Sequence, residues 1–423
     1  MNSNGRWRLI GVVAAVTVLA LGFGVWIKLY QAAVPAWRVL SDDSGRIVHV
    51  ACVINSARRA ALRNAALVTR ILNSLPRRTR VTVLTNDPKA FAVLGDPQRG
   101  RLVMLDLPAA SDFTIWPQDP FLVLKSRDGR LALLAAREFD RVDDRLIPQR
   151  LAKHLHTVFR KSKLAFEGGN VVVGSRHVFV GADTIRYNAV KLRKTDPDVV
   201  KAFQRELGRP VLVIGPVPQV VGHIDMMLTP IDGISIGVAD PRWGAALVRR
   251  ELTRNPAAVR AFEQRCEDYY FGNPHVHALR DAKGRLIKPP KVVGKTEAAV
   301  KDSQAIAVHL DRVAEELTRY GYRVRRFPFL MSRPKPVAKS TTGSKAAEPG
   351  PGYPCLTYNN VLVEHESGRR TVYLPQYGLG ALDRAARAAW RRAGCRVVPI
   401  EGFAISAMYG GSLRCCVKVL DRD

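Results

Sequence analysis

Cys415, in Gly410-Gly411-Ser412-Leu413-Arg414-Cys415-Cys416, offers a thiol, and three upstream segments carry groups that could work with it. These are Trp116-Pro117-Gln118-Asp119, Phe166-Glu167-Gly168-Gly169-Asn170 and Gly222-His223-Ile224-Asp225. Together they supply one imidazole and three carboxylates, each set beside glycines or aromatics. The set suits attack by sulfur on a cationic, planar carbon such as that of a guanidinium. Resonance makes that carbon a poor electrophile. Hydrolysing it takes a strong nucleophile, carboxylates that hold the charge and orient the plane, and an acid for the departing ammonia.

Cys415 can be the nucleophile as a thiolate, but a reference thiol pKa of about 8.5 leaves little thiolate at neutral pH, so a cationic neighbour must help. His223 can be that neighbour, then the proton donor to ammonia, then the base that activates water. A cationic substrate in the pocket would also favour the thiolate. Asp119 and Asp225 are the expected guanidinium clamps, because a carboxylate accepts two parallel N–H bonds in fork geometry. On an extended strand, residues two apart share a face, so His223 and Asp225 would enter one pocket together. Glu167 could hydrogen-bond His223 or take another guanidinium N–H, with Gly168 and Gly169 allowing close backbone approach. Trp116 could cover the substrate's apolar stem or stack on the cation.

Each signal has a bland counterpart. A lone Cys in a Gly-rich stretch is usually an inert small hydrophobe. A Trp beside Pro is commonly core, Glu-Gly-Gly-Asn is a plausible turn, and His-x-Asp is frequent by chance. The joint order Asp, Glu, His-x-Asp, Cys carries the weight.

The elements that must position these groups read as α/β. Short apolar runs, β-branched at 47–54, recur at residues 47–54, 81–84, 102–105, 131–135, 171–173, 178–180, 211–213, 234–238, 361–363 and 372–374. Helical spacing of apolar residues marks 60–75, 196–207, 299–320 and 382–393. Alternation throughout the chain predicts α/β construction. No Gly-x-Gly-x-x-Gly follows the first strand, so a dinucleotide site is unsupported. Residues 275–295 predict a long basic loop, and residues 332–354, with Pro334-Lys335-Pro336 and Glu348-Pro349-Gly350-Pro351-Gly352, a loop insertion within one domain.

At the N-terminus, residues 9–27 are nearly unbroken apolar sequence preceded by Arg6 and Arg8. A helix of that length roughly spans the ~30 Å hydrocarbon layer. Residues 1–36 are therefore expected to be a signal-anchor, leaving a catalytic domain over 37–423 on the extracytoplasmic side. The alternative is a cleaved signal and a secreted enzyme. At 423 residues, with 47% hydrophobic and 24% charged residues, the chain can bury a core without disulfides or structural metal. Six cysteines without Cys-x-x-Cys spacing predict neither a disulfide framework nor zinc. The net charge of +29 favours anionic partners such as membrane or cell-surface polymers, although charge runs usually mark solvated faces. No nucleic-acid-binding module is present, and specific nucleic-acid binding is not expected.

The combined motifs resemble those of the guanidino-group-modifying superfamily, the penteins, and within it the agmatine and protein-arginine deiminases. Trp116-Pro117-Gln118-Asp119 is similar to the superfamily's Trp-x-(Arg/Gln)-Asp element, and Glu167-Gly168-Gly169-Asn170 to the Glu-Gly-Gly-Asn of agmatine deiminases. Gly222-His223-Ile224-Asp225 fits Gly-His-x-Asp, and Gly410 to Cys415 the terminal nucleophile element. Tyr358-Asn359-Asn360-Val361 and Pro375-Gln376-Tyr377-Gly378 resemble the late Asn-containing strand and its turn. Arg414 stands where agmatine and protein-arginine deiminases usually carry His, Cys416-Val417-Lys418 replaces a small or Thr-containing continuation, and Pro120-Phe121 follows Asp119.

The resemblance implies a five-bladed α/β propeller. It implies Cys415 as nucleophile, His223 as acid and base, and Asp119, Asp225 and Glu167 as pocket carboxylates. Trp116, Asp119, Asp225 and Asn360 are then the expected substrate-binding set. The implied chemistry is hydrolytic deimination through a covalent thiouronium, with no cofactor and no metal. Peptidyl-arginine is the first expected substrate, since an anchored, outward-facing enzyme meets peptides readily; agmatine, free arginine and amidino transfer are alternatives. A papain-type hydrolase fits less well, because Cys follows His here and three carboxylates suit a cation. A membrane-tethered basic binding protein is the non-enzymatic alternative.

Overall fold

The computed structural model describes residues 37–54, 65–86, 102–108, 113–271, 291–332 and 353–423. Four sheets share one order of elements, an antiparallel hairpin, a helical crossover and a return strand parallel to the second hairpin strand; the fifth has the same pairing, but its antiparallel strands come from distant parts of the chain. The pattern follows from connectivity, since antiparallel strands can be joined by a tight turn while parallel ones need a crossover.

In the first unit, Phe121–Ser126 pairs with Leu131–Ala135, and Val158–Lys161 returns after helix Ile147–His154, with Trp37–Val39 added at the far edge. The second joins Val171–Val173 to Val178–Gly181, then Val211–Ile214, through helices Ala182–Leu192 and Asp196–Leu207. The third pairs Leu228–Pro230 with Ser235–Asp240, and Arg323–Leu330 returns after a helical excursion that ends in Thr296–Arg319. The fourth runs Leu362–Glu366, Arg369–Gln376, helix Gly380–Arg392 and Cys395–Glu401. The fifth combines distant parts of the chain: Val417–Arg422 lies antiparallel to Ile47–Ile54, followed by helix Ala65–Ser74 and Arg80–Thr85.

Local sequence explains the better-defined elements. Helix Asp196–Leu207 starts where the Thr195 side chain accepts from the Asp198 N–H, has Pro197 in its first turn, and stops at Gly208 with φ +67°. Strand Ile47–Ile54 is buried along nearly its whole length, as an inner strand covered on both faces must be. The core is aromatic and aliphatic, with Trp390 stacked on Phe327 at a centroid distance of 4.2 Å.

Mixed α/β construction is as expected. The predicted strand at residues 47–54 and helix at 196–207 coincide with the observed elements, while the helix expected over 60–75 is described from Ala65 to Ser74. Strands Phe121–Ser126, Val158–Lys161, Arg323–Leu330, Cys395–Glu401 and Val417–Arg422 were not predicted. The loop expectations for 275–295 and 332–354 fall mostly outside the described residues. The expected single-pass membrane placement must be corrected: among the described residues no helix is long and apolar enough to cross a membrane, and residues 1–36 lie outside them.

Candidate active site

Each expected site residue sits in the turn that leads into the first strand of one of the five units. Asp119 precedes Phe121–Ser126, Glu167 precedes Val171–Val173, and His223 and Asp225 precede Leu228–Pro230. Asn360 precedes Leu362–Glu366, and Cys415 precedes Val417–Arg422. Residues far apart in sequence thus occupy equivalent places in a repeated supersecondary unit.

Cys415 is buried and held at two points by Asn360. The Asn360 Nδ2 donates to Sγ at 3.2 Å, and the Cys415 N–H donates to Asn360 Oδ1 at 3.2 Å. Sγ lies 4.0 Å from Asp225 Oδ2. Burial, followed by the anionic fields of Asp225 and Asp119, raises the thiol well above its ordinary range. The surroundings of this sulfur therefore favour its protonated form.

Asp225 is fully buried. Its Oδ2 accepts from Arg414 Nη1 at 2.9 Å, whereas Oδ1 has no hydrogen-bond partner among the described residues. A buried carboxylate oxygen left in this state is costly unless a donor arrives. Burial raises the Asp225 pKa, with Arg414 and His223 opposing that rise.

His223 hydrogen-bonds Glu167 through Nε2, and its Nδ1 stands 3.8 Å from Asp119 Oδ1. Burial disfavours the imidazolium, but Asp119, Glu167 and Asp225 outweigh it and lift the pKa to about 9. Gly169 makes this placement possible: a Cβ there would come within 2.3 Å of His223 Nδ1. Gly169→Ala should therefore expel the imidazole and lower kcat about 100-fold, the scale of a 1 Å misplacement of a catalytic group. Thermal unfolding should change by only a few degrees, which circular dichroism beside the kinetics would check.

Asp119 is buried and its two oxygens are both engaged. Oδ2 pairs with Arg141 Nη2 at 2.7 Å, and Oδ1 accepts the Gly169 N–H at 3.2 Å. Burial raises the carboxyl pKa, but His223 and Arg141 prevail and hold it below the usual range. Asp119 thus faces His223 more than it offers an open fork. Trp116 lies against Gly411, where a Cβ would come 2.4 Å from the indole ring.

Three cations around the site were not among the candidates. Arg141 bridges Asp119 and Asp144, the latter at 2.8 Å. Arg414 links Asp225 to Asp42, its Nη2 reaching Asp42 Oδ2 at 2.9 Å. Lys418 is buried and donates to the carbonyls of Gln118 (3.2 Å) and Phe121, beside Asp119. Burial, with Arg414 adding, lowers the Lys418 pKa to about 7. A lone Lys within Val417-Lys418-Val419-Leu420 is the only sequence sign of it.

Asp119, Glu167 and His223 bring ligand atoms within 4.8 Å of one another and could hold a metal ion. Arg141 on Asp119 and the Glu167–His223 hydrogen bond already use that set, which favours proton handling over coordination.

No protein-family model matches the sequence, and no curated protein matches it. Solved structures do match. A C. jejuni agmatine deiminase aligns over 92% of this chain and 96% of its own, with TM-score 0.57 and 13% identity. An Enterococcus faecalis agmatine deiminase aligns over 92% and 96%, with TM-score 0.56 and 14% identity. The chain therefore has the fold of these agmatine deiminases, in keeping with the sequence resemblance.

Proposed function

We propose that this chain, with its pentein deiminase fold, hydrolyses a guanidino group to a ureido product and ammonia, and that its five units are the blades of a propeller around the pocket. The observation that carries the reading is Cys415 Sγ, clamped by Asn360, 4.0 Å from a buried Asp225 whose Oδ1 has no donor among the described residues. A guanidinium N–H supplies that donor and opposes the burial and carboxylate fields that keep the thiol protonated, so the Cys415 proton is lost to solvent as the substrate binds. Binding and activation of the nucleophile are then one event.

The thiolate attacks the guanidinium carbon, forming a C–S bond. His223 as imidazolium protonates the leaving nitrogen, which departs as ammonia and leaves a thiouronium on Cys415. Neutral His223 then takes a proton from water as the water oxygen bonds to the same carbon. Collapse breaks the C–S bond as the hydroxyl proton passes to the leaving sulfur, which regenerates the Cys415 thiol and releases the ureido product. Asp119 and Glu167 keep the imidazole charged and oriented, and Trp116 covers the substrate stem.

An outward-facing membrane anchor is the one ground for putting peptidyl-arginine first, and no helix among the described residues supplies it. We rank agmatine first, a choice supported by the agmatine deiminases among the similar structures, with free and peptidyl arginine next and amidino transfer to an amine as the alternative to hydrolysis. Colorimetric detection of ureido product across these substrates tests the reading, and no product from any of them would sink it. Because His223 acts as the acid and titrates near 9, kcat/KM should fall as pH rises through about 9. Asp119→Asn removes an anion that favours imidazolium, so that alkaline limb should move to lower pH.

A further inference from the structure

An open basic cleft lies apart from the Cys415 turn, between the Val158–Lys161 strand and the helices Ala182–Leu192 and Asp196–Leu207. Its volume is about 750 Å³. Six exposed cations line it: Arg137, Arg160, Lys161, Lys163, Lys194 and Arg205. Among the described residues only Arg137 of these forms a salt bridge, with Glu138 at 3.7 Å. The one lining acid, Glu206, is occupied by the Ser162 hydroxyl at 2.8 Å.

The Val158–Lys161 strand has a second property. It ends its sheet, pairing with Leu131–Ala135 on one side and with no strand on the other among the described residues. All four of its residues are exposed, including Val158 at 41% and Phe159 at 40%. Such an edge presents a row of backbone donors and acceptors to any extended chain, and proteins usually guard it.

We infer that this cleft docks an acidic, extended peptide segment that adds as a strand to Val158–Lys161. Backbone pairing with the open edge supplies affinity, Val158 and Phe159 offer apolar contacts on opposite faces of the strand, and the Arg and Lys side chains of the cleft select acidic residues. A nucleic acid would satisfy the cations but has no use for the strand edge or the apolar pair. A second copy of this chain, at a net charge of +29, is repelled from a basic cleft. The inference does not depend on the chemistry proposed for Cys415.

The test uses the full chain and a fluorescein-labelled octapeptide of alternating Glu and Val, followed by anisotropy. Saturable binding is expected, weakening as salt rises. The triple variant Arg160→Glu, Lys161→Glu, Lys163→Glu should bind at least 10-fold more weakly. Two isomers of the peptide, N-methylated along one edge or along the other, should differ at least 10-fold on the unaltered protein, because only one edge faces the strand. Equal binding of the two isomers would overturn strand addition whatever the variant does. So would poly-dT or vesicles of anionic phospholipid that bind as tightly as the peptide and lose as much in the variant.

Discussion

Cys415→Ser is expected to lower ureido-product formation by roughly 1,000-fold or more while leaving the fold intact, and Cys416→Ser to leave turnover within a few-fold. The adjacent thiols face different surroundings. Cys416 packs into the large apolar core with Cys52 and Val417, whereas Cys415 lies at the edge of a second cluster, under Asn360 and beside Asp225. Serine preserves the size of the side chain but not its acidity, and a hydroxyl has no comparable anion to offer when the guanidinium arrives. Steady-state kinetics on both variants, with mass spectrometry for a covalent adduct, decides the point. Retained turnover in Cys415→Ser would remove sulfur from the mechanism.

The largest stability effect should come from Arg414→Ala. The guanidinium is buried and satisfies Asp225 at 2.9 Å, Asp42 at 2.9 Å, and the carbonyls of Val171 (3.1 Å) and Gly168 (3.4 Å). Removing it leaves Asp225 buried and without its cation. Breaking a buried pair in that way costs about 3–5 kcal/mol. Lysine keeps the charge but cannot reach four acceptors with a planar fork, so Arg414→Lys should recover only part of the loss. Urea denaturation would measure both. Activity should fall as well, because an Asp225 without Arg414 is pushed further toward the neutral acid, which is a weaker clamp for a cation.

Much of this site was readable because its parts are short and local. Glycines stand beside several reactive groups in sequence, as Gly168 and Gly169 follow Glu167 and Gly222 precedes His223, so Asp119, Glu167, His223, Asp225 and Cys415 could be named from short local motifs. The partners that tune them could not. Arg141 reaches Asp119 across a hairpin, and Arg414 joins Asp42 to Asp225 from 372 and 189 positions away. One arginine among many gives no local sign of its partner. Asn360 was expected against the substrate, and the structure places its amide on the sulfur. The fold shows the same division. Ile47–Ile54 is apolar enough to announce itself, while Arg323–Leu330 opens Arg-Val-Arg-Arg and includes Pro328, a composition that reads as surface until its parallel pairing with Ser235–Asp240 is seen.

The sheet that joins Val417–Arg422 to Ile47–Ile54 has a consequence for biogenesis. The nucleophile-bearing turn and the strand behind it are translated long after the segment they must cover. At roughly 5–20 residues per second, the apolar Ile47–Ile54 waits on the order of tens of seconds for its antiparallel neighbour. A nascent chain therefore carries Ile47–Ile54 without its antiparallel neighbour, and lacks the turn that seats Cys415 beside Asp225, through most of synthesis.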